Sequence, residues 1–403
     1  MTSYKTAAAV FGIFLFALAL RFAMIGVWYR TGQDQRMISS DGFGYYEIAQ
    51  NLTEGQGFKL EGKPSLRRVP LYPLFVALAG RGISFPKGVQ TAQAFLGAMS
   101  CVIIFFLGRE FWKEKVGLIA SGIYSFDYLA VRQVISVMPE ILFVFLLLAS
   151  AWLMVRSQNE GRIFPDLILS GVLAGLAVLT KEVLAFYFIL LGVWFFWSFK
   201  KQAAVLFLLS FFLTIAPWVV RNRVIFGEWR FVAANAGHIF YLGNNPLISS
   251  RFVGEEWNYN GDSGFPQNDP SLPPLFTPEA DRYLLKSSLE FVRSHPARFL
   301  ELTKDKIIRF WFPIYLGSPP VAKLLTFLTY VPILILGWIG IFSSARQWKE
   351  MVPLIAPIVY LASICAVTIS GIRYRYPAMP FLTLFAAYVI HRFWISRVKK
   401  IFW

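Results

Sequence analysis

The chain has 403 residues, of which 56% are hydrophobic and only 15% are charged. A soluble domain carries about 25% charged residues, so this composition excludes an ordinary soluble protein and indicates an integral membrane protein. The formal net charge is +16, but no basic domain stands apart from the apolar segments. We therefore expect anionic lipid headgroups and phosphates as partners, and no nucleic acid.

The sequence offers no support for a metal or a cofactor. Its two cysteines, Cys101 and Cys365, lie inside apolar stretches and form no cluster with the three histidines, which argues against zinc. The chain has no P-loop and no G-x-G-x-x-G motif, and the predicted outer loops contain no Asp-x-Asp pair. We predict that the protein uses no cofactor and binds no metal.

A membrane-spanning helix needs about 20 mainly apolar residues. The first apolar segment is longer than the core of a signal peptide, so we expect it to remain as a span. The apolar segment 70–80 is too short to span and predicts an interfacial or re-entrant helix. The predicted fold is an all-α polytopic membrane protein, a bundle of about ten transmembrane helices with interfacial helices in its first extracytoplasmic loop. The ten predicted spans cover residues 6–29, 89–108, 115–131, 138–155, 164–180, 183–199, 203–220, 322–342, 352–370 and 377–395.

Basic residues in the short loops predict the orientation. Lysines and arginines recur in every second connection, which the positive-inside rule assigns to the cytoplasm together with both termini. The chain then divides into a seven-span catalytic module (1–220), an extracytoplasmic loop region (221–321) and a three-span module (322–403). The first module includes an extracytoplasmic loop at 30–88. The residues that set this orientation are Arg109, Lys113, Lys115, Arg156, Arg162, Lys200, Lys201, Arg346, Lys349, Arg397, Lys399 and Lys400.

Asp41 is the first candidate for chemistry. It lies in SSDGFGYYEIAQNL, whose apolar spacing predicts a short amphipathic helix close to the outer end of the first span. The carboxylate could simply cap this helix, as Ser39 or Ser40 could, and sequence rules alone favour that interpretation. A partly desolvated carboxylate at this place would also suit a general base.

Arginines at the outer ends of the predicted spans form the second group of candidates. Arg67 and Arg68 precede a Val-Pro-Leu turn, and Arg373 and Arg375 lie in the short connection GIRYRYP, where basic residues are usually depleted. A guanidinium group is well shaped to hold a phosphate. The backbone before Pro377 should be extended, which would point Arg373 and Arg375 the same way. The alternative for both pairs is binding of lipid headgroups.

Several further residues are weaker candidates. Glu140 starts a span and Lys181 lies in a very short outer turn, where ionisable groups either form ion pairs with each other or face the bundle interior and act on a substrate. Arg21, inside the first span, needs a partner, for which Glu140 is one candidate. The loops around Arg221 and Asn244 could touch a sugar, but plain turn chemistry explains their Asn and Gly residues equally well. We expect His238 to be a hydrogen-bonded loop residue and not a catalyst.

The chain resembles the bacterial dolichyl-phosphate-mannose–protein mannosyltransferase-like proteins of the GT-C superfamily (glycosyltransferase family 39), which include the lipid A aminoarabinose transferases. The resemblance covers nearly the whole chain in family order. It implies an inverting transferase that takes a sugar from a polyprenyl-phosphate carrier on the extracytoplasmic face. It also implies that Asp41 matches the catalytic Asp and that Arg68 is a donor-phosphate ligand. The resembling segments are SSDGFGYYEIAQNLTEGQGF, RRVPLYPLF, SVMPEILFVFLL, GVLAGLAVLTKE, PWVVRNRVIFGEW with its GNNP sequel, and RYRYPAMP.

The sequence thus predicts a membrane glycosyltransferase that passes a hexose or pentose to an acceptor hydroxyl on a lipid, glycan or protein, with Asp41 as general base. A lipid or solute transporter is the alternative, and it would require an inverted repeat and charges near the membrane midplane. A non-catalytic subunit that binds lipid phosphate would not need Asp41. The predicted donor-phosphate ligands are Arg67, Arg68, Lys181, Arg373 and Arg375, and the possible substrate contacts are Tyr45, Glu140, Arg221 and Asn244.

Overall fold

A computed structural model gives the structure of the chain and describes residues 4–31, 40–159, 163–198, 201–231, 235–248, 272–312 and 319–401. Within these residues the strands form one small antiparallel hairpin, β1 (Lys59–Leu60) and β2 (Lys63–Pro64). The helices of the first half are α1 (Tyr4–Arg30), α2 (Ser40–Thr53), α3 (Leu71–Ala79), α4 (Lys87–Phe111), α5 (Glu114–Ser125), α6 (Tyr128–Arg132), α7 (Glu140–Asn159), α8 (Ile163–Thr180), α9 (Ala185–Ser198) and α10 (Lys201–Phe226). Those of the second half are α11 (Ala236–Gly243), α12 (Pro278–Ser294), α13 (Pro296–Trp311), α14 (Pro320–Ser343), α15 (Trp348–Val367), α16 (Ile372–Arg375) and α17 (Met379–Ile401).

Nine of the ten predicted spans overlap single long helices, namely α1, α4, α7, α8, α9, α10, α14, α15 and α17. In the described part of the chain, six helices are long and apolar enough to cross a membrane, and Phe164–Thr180 and Glu182–Trp197 are shorter apolar helices. These six begin with Tyr4–Arg30 and end with Ala345–Val367, so they are spread along the chain. The predicted class, an all-α polytopic membrane protein, is confirmed.

One predicted span has the wrong length. The segment 115–131 is two helices, because α5 ends at Ser125 and α6 begins at Tyr128. The buried side chain of Asp127 causes the break, since it accepts a hydrogen bond from the Ala130 backbone N–H (3.0 Å) and caps α6. With 12 residues, α5 is about 18 Å long, so it reaches only partway across a hydrocarbon core of about 30 Å.

Small residues allow the helices to approach closely. A Cβ atom on Gly108 of α4 would come within 2.6 Å of the Gly117 Cα atom of α5. A Cβ atom on Gly171 of α8 would come within 2.4 Å of the Phe207 carbonyl oxygen of α10. Close contact of this kind is how helices associate where lipid removes the hydrophobic driving force.

The helices that surround Asp41 meet at one end of the bundle, which we refer to as the α2 end. The predicted amphipathic helix is present as α2, which buries Tyr45, Ile48 and Ala49. The predicted short helix is present as α3, which buries Tyr72. The two helices pack through the rings of Tyr45 and Tyr72, whose centroids are 4.9 Å apart in an edge-to-face arrangement. This contact fixes the position of α2 and therefore of Asp41.

Candidate active site

Asp41 lies in the first turn of α2, and both of its carboxylate oxygens are bound by arginines. Its Oδ1 is 2.5 Å from Nη2 of Arg68, and its Oδ2 is 3.3 Å from Nη2 of Arg373. Arg68 comes from the loop before α3 and Arg373 from α16, so the fold brings together three groups that are far apart in sequence. The Asp41 side chain is 28% exposed. The carboxylate is therefore sheltered but still within reach of solvent.

The charges of this group are strongly coupled. Burial raises the pKa of the Asp41 carboxyl, but the charges and hydrogen bonds of Arg68 and Arg373 outweigh it and lower the pKa from 3.8 to about 2. Burial lowers the pKa of Arg68, and this is more than offset by Tyr45 and Asp41, so the net shift is upward. Two guanidinium groups and one carboxylate leave a net charge of +1 (2 − 1), which would attract a further anion.

Arg68 rests on a rigid aromatic support. Its guanidinium carbon is 4.7 Å from the centre of the Tyr45 ring, a cation–π contact. Behind Tyr45, the buried hydroxyl of Tyr72 donates to Oε1 of Gln93 (2.8 Å), and Gln93 donates to the backbone carbonyl of Ser136 (2.9 Å). The buried Nε of Arg68 has no hydrogen-bond partner among the described residues, so this arginine retains donor capacity for a ligand.

Arg373 and Arg375 do not point the same way, and the predicted extended backbone is wrong. Residues 372–375 form the short helix α16, which turns the two side chains apart. Arg373 faces Asp41, and its Nη2 also donates to the Tyr374 hydroxyl (3.1 Å). Arg375 is fully buried and donates to the backbone carbonyls of Phe310 and Phe312. Arg375 is therefore not grouped with Asp41.

A second ion pair lies beside Arg373. The ammonium group of Lys181, in the turn after α8, is 2.8 Å from Oε1 of the buried Glu140 at the start of α7. The same ammonium group is 5.4 Å from the centre of the Tyr374 ring. Glu140 is therefore the partner of Lys181, and the suggested pairing of Glu140 with Arg21 is not found. Arg21 instead donates to backbone carbonyls in α1 and α5.

Arg67 borders the site on the side of α11 and α12. Its guanidinium carbon lies 4.1 Å above the ring of Phe276, and the ring of His238 is 4.8 Å from the same phenyl group. Burial and the charge of Arg67 lower the pKa of His238 to about 4, so the imidazole is neutral near pH 7. The backbone N–H of His238 donates to Asp281 (3.2 Å).

Comparison with known proteins finds a family model and solved structures that this chain resembles. The family model of the dolichyl-phosphate-mannose-protein mannosyltransferases matches residues 71–220, from α3 through most of α10. The crystal structure of the apo oligosaccharyltransferase of Archaeoglobus fulgidus matches 99% of this chain with a TM-score of 0.59. The chain therefore shares the fold of this archaeal oligosaccharyltransferase. Sequence identity to that structure is 12%, and no curated protein sequence shows significant similarity to the chain.

Two further oligosaccharyltransferase structures from Archaeoglobus fulgidus show a similar fold. The complex of AglB with an inhibitory peptide and a dolichol-phosphate matches 98% of this chain and 52% of its own length, at 12% identity and a TM-score of 0.55. The form tethered to an acceptor peptide containing the NVT sequon matches 97% of this chain and 50% of its own, with a TM-score of 0.56 at 12% identity. The apo structure is matched over 52% of its length, so this chain spans about half the length of the archaeal protein.

Two of the predicted substrate contacts hold the helix bundle together. Arg221 of α10 donates to the Ser65 carbonyl (3.1 Å), and its guanidinium carbon lies 4.5 Å from the Trp218 ring. Asn244 is fully buried and donates to the carbonyl of Val367 (2.9 Å). The structure does not place either side chain with Asp41.

Two other side chains, Glu182 and Lys306, were not among the predicted donor and substrate contacts. Glu182, in the turn after α8, accepts a hydrogen bond from Asn235 (2.8 Å), and its charge acts on Tyr45 and Arg68. Lys306 of α13 is fully buried. The sequence indicates Glu182 together with Lys181 as ionisable residues of one short outer turn, whereas the segment KDKII resembles a solvated helix face and hid Lys306. Among the described residues, no group of three or more His, Cys, Asp or Glu side chains could hold a metal ion.

Proposed function

We propose that this protein is a multi-pass membrane glycosyltransferase. It transfers a sugar from a polyprenyl-phosphate carrier to an acceptor hydroxyl, and Asp41 is its general base. The observation that carries the proposal is the convergence of Arg68 and Arg373 on Asp41 at one end of a helix bundle. The match to the mannosyltransferase family model and the GT-C fold support this assignment. One archaeal structure of this fold contains a dolichol-phosphate, which supports a donor of the same class.

In this proposal the donor phosphate binds where the net positive charge is highest. Arg68 and Arg373 supply guanidinium forks that match phosphate oxygens, and Lys181 supplies a neighbouring ammonium group. The isoprenoid chain extends from there along the lipid-facing surface of the helices. The α2 end faces the extracytoplasmic side, as the basic loops at the other end require. The clustering of these charged groups at helix ends supports an enzyme over a transporter, whose charges would lie near the midplane.

The structure suggests how Asp41 is activated. A carboxyl group with a pKa of about 2 is a weak base. An incoming phosphate competes for Arg68 and Arg373, and its negative charge lies close to the carboxylate. Both effects raise the pKa of Asp41 toward or above its ordinary value of 3.8. In this scheme Arg68 and Arg373 move from Asp41 to the donor phosphate, and Asp41 becomes a stronger base.

The transfer is a single displacement. Asp41 takes the proton of the acceptor hydroxyl while the hydroxyl oxygen forms a bond to the anomeric carbon of the sugar. The bond between that carbon and the phosphate oxygen breaks, and its electron pair remains on the phosphate, which leaves as polyprenyl phosphate. Arg68 and Arg373 stabilise the charge that grows on this leaving group, which is where preorganised electrostatics acts most strongly. One displacement inverts the configuration at the anomeric carbon. The acceptor is a lipid, a glycan or a protein.

The proposal is tested by identifying the donor directly. The protein is purified with its native lipids, which are extracted and analysed by mass spectrometry for a polyprenyl-phosphate sugar. The Arg373→Ala variant, purified in parallel, should retain less of this lipid, and Asp41→Asn should retain at least as much. If no such lipid copurifies and no added polyprenyl-phosphate sugar is consumed by the reconstituted protein, the proposed function is wrong.

A further inference from the structure

Helix α13 contacts the connection between α15 and α17. At the end of this connection next to α15, the contact is made by Lys306. The Nζ atom of Lys306 donates to Oδ1 of Asn244 (2.8 Å) and to the backbone carbonyl of Val367 (3.3 Å), the last residue of α15. Asn244 donates to the same carbonyl (2.9 Å). Neighbouring Gly243 makes the junction possible, because a Cβ atom there would lie only 1.8 Å from the Thr368 carbonyl oxygen. Three segments of chain therefore meet at Val367.

The same helix holds the connection at its downstream end through Arg375. Nη1 of Arg375 donates to the carbonyls of Phe310 and Phe312 at the C-terminus of α13. Its guanidinium carbon also lies 3.7 Å from the centre of the Tyr330 ring. A cation at a helix C-terminus is favoured by the helix dipole. Residues 368–374 therefore lie between two hydrogen-bonded contacts with α13.

The ammonium group of Lys306 is costly to bury. Lys306 is fully buried and forms no ion pair with any described carboxylate. Burial lowers its pKa to about 7, which reflects the cost of placing an ammonium group in this environment. An apolar side chain would fill the same volume without that cost. The position therefore retains lysine at a cost in stability, which points to a role for its hydrogen bonds.

We propose that Lys306 and Arg375 are positioning residues that hold Arg373 against Asp41. Arg373 lies between these two contacts with α13, and its Nη2 reaches Asp41 at 3.3 Å. Neither Lys306 nor Arg375 touches the donor in this scheme. They fix the backbone from which Arg373 reaches its phosphate. The inference rests on the proposed function, because the phosphate that Arg373 would bind is that of the donor.

The first test compares Lys306→Met with Lys304→Met. Lys304 lies two residues away on the exposed side of the same helix, so its variant removes an equal charge without touching Val367. Hydrogen–deuterium exchange should become faster in residues 368–376 for Lys306→Met only, while exchange in α7 stays unchanged. Equal exchange in the two variants would overturn the proposal. If Lys306→Met does not fold, Asn244→Ala removes the other donor to the Val367 carbonyl and is compared in the same way.

The second test asks whether Lys306 acts through Arg373. Affinity for undecaprenyl phosphate is measured in detergent for Lys306→Met, Arg373→Ala and the double variant. Lys306→Met should weaken binding by roughly 2- to 30-fold, the usual range for residues that act at a distance. In the Arg373→Ala background it should cause no further loss, because the group that it positions is already gone. Independent, multiplying losses would contradict the positioning role.

The two proposals fail separately. If the wild-type protein does not bind undecaprenyl phosphate at all, the proposed function is wrong, and the exchange comparison still decides whether Lys306 holds the Arg373 turn. If the wild type binds and Lys306→Met binds equally well with unchanged exchange, the positioning role is wrong and the proposed function stands.

Discussion

Arg68 binds the carboxylate of Asp41 at 2.5 Å while its guanidinium group stacks on the ring of Tyr45, one turn further along the same helix as Asp41. Helix α2 therefore presents the carboxylate and also supports the cation that neutralises it. Arg373 approaches the other carboxylate oxygen from the far end of the chain. Asp41 is paired with two arginines that would bind phosphate in the proposed function, so it must lose both ion pairs before it can act as a base.

Asp41→Asn should abolish most of the transfer activity. The amide keeps the size of the carboxylate but cannot accept a proton, so transfer from a polyprenyl-phosphate sugar should fall by about 10²–10⁴, the usual range for general-base catalysis. The measurement is product formation by reconstituted protein under saturating donor. Donor binding serves as the control, since Arg68 and Arg373 remain. A well-folded Asp41→Asn variant with nearly normal turnover would show that Asp41 is not the base.

The Asp41 ion pairs should stabilise the protein in a pH-dependent way. Because the folded pKa of about 2 lies below the ordinary value of 3.8, this contribution is fully present above pH 3.8 and is lost as the pH falls toward 2. The full contribution is on the order of 2 kcal/mol, since one pKa unit corresponds to about 1.4 kcal/mol. Asp41→Asn should therefore melt at a lower temperature than the wild type at pH 7. The difference should shrink below pH 4, and a constant difference down to the lowest tolerated pH would contradict the ion pairing.

Arg373 and Arg375 should respond differently to truncation. Arg373→Ala removes a charge-assisted contact to the donor phosphate, which should cost about 1.5–3 kcal/mol, or roughly 10- to 150-fold in affinity. Arg373→Lys should recover only part of this, because a point charge cannot replace a bidentate fork. Arg375→Ala should lower the melting temperature strongly, because it leaves the Phe310 and Phe312 carbonyls without a buried donor, and should weaken donor binding only through the displacement of Arg373. Thermal unfolding and donor titration of all three variants test this, and equal affinities for wild type and both Arg373 variants would exclude Arg373 from the site.

The orientation of the bundle can be tested with single cysteines. The native Cys101 and Cys365 are buried and should not react, so the wild type serves as the background. Glu290→Cys on α12 should be labelled by a membrane-impermeant maleimide added to intact cells, and Lys349→Cys in the first turn of α15 should be labelled only after permeabilisation. The predicted loop segment 254–264 lies outside the described residues, so α12 is the better position. The reverse pattern would place Asp41 on the cytoplasmic side.

The membrane helices could be predicted from the sequence because a span needs about 20 mainly apolar residues in a row, and few other structures contain such a segment. The break between α5 and α6 was missed, since it depends on a single buried cap by Asp127. Asp41, Arg68 and Arg373 were predicted to act in one site. The ion pairs between Asp41 and the two arginines could not be derived, because they join the first loop, the segment before α3 and the last connection of the chain.

Other side chains were assigned the wrong surroundings for identifiable reasons. The rule for residues before proline predicted an extended backbone around Arg375, but the contacts of α16 with α13 and α15 favour a short helix there. Lys306 was not selected because a lysine flanked by Asp305 and Lys304 usually lies in water. Only the tertiary structure shows that α13 turns Lys306 inward. Local sequence rules therefore located charged residues but not the direction in which each one faces.

The exchange of partners at Asp41 predicts an unusual pH dependence. In the free enzyme the pKa of the carboxyl is about 2, so kcat/KM for the donor should stay flat as the medium is acidified to about pH 4, the lower edge of the ordinary carboxyl range. Once the donor phosphate has drawn Arg68 and Arg373 away, the pKa of Asp41 should rise to 3.8 or above, because it loses two cations and gains a neighbouring anion. The acid limb of kcat, which reports the donor complex, should then lie at a higher pH than that of kcat/KM. Asp41→Glu, if active, should move the kcat limb and serves as the control that this carboxyl is the titrating group. Coincident acid limbs for kcat and kcat/KM would mean that the arginines stay on Asp41 when the donor binds, and the exchange mechanism would be wrong.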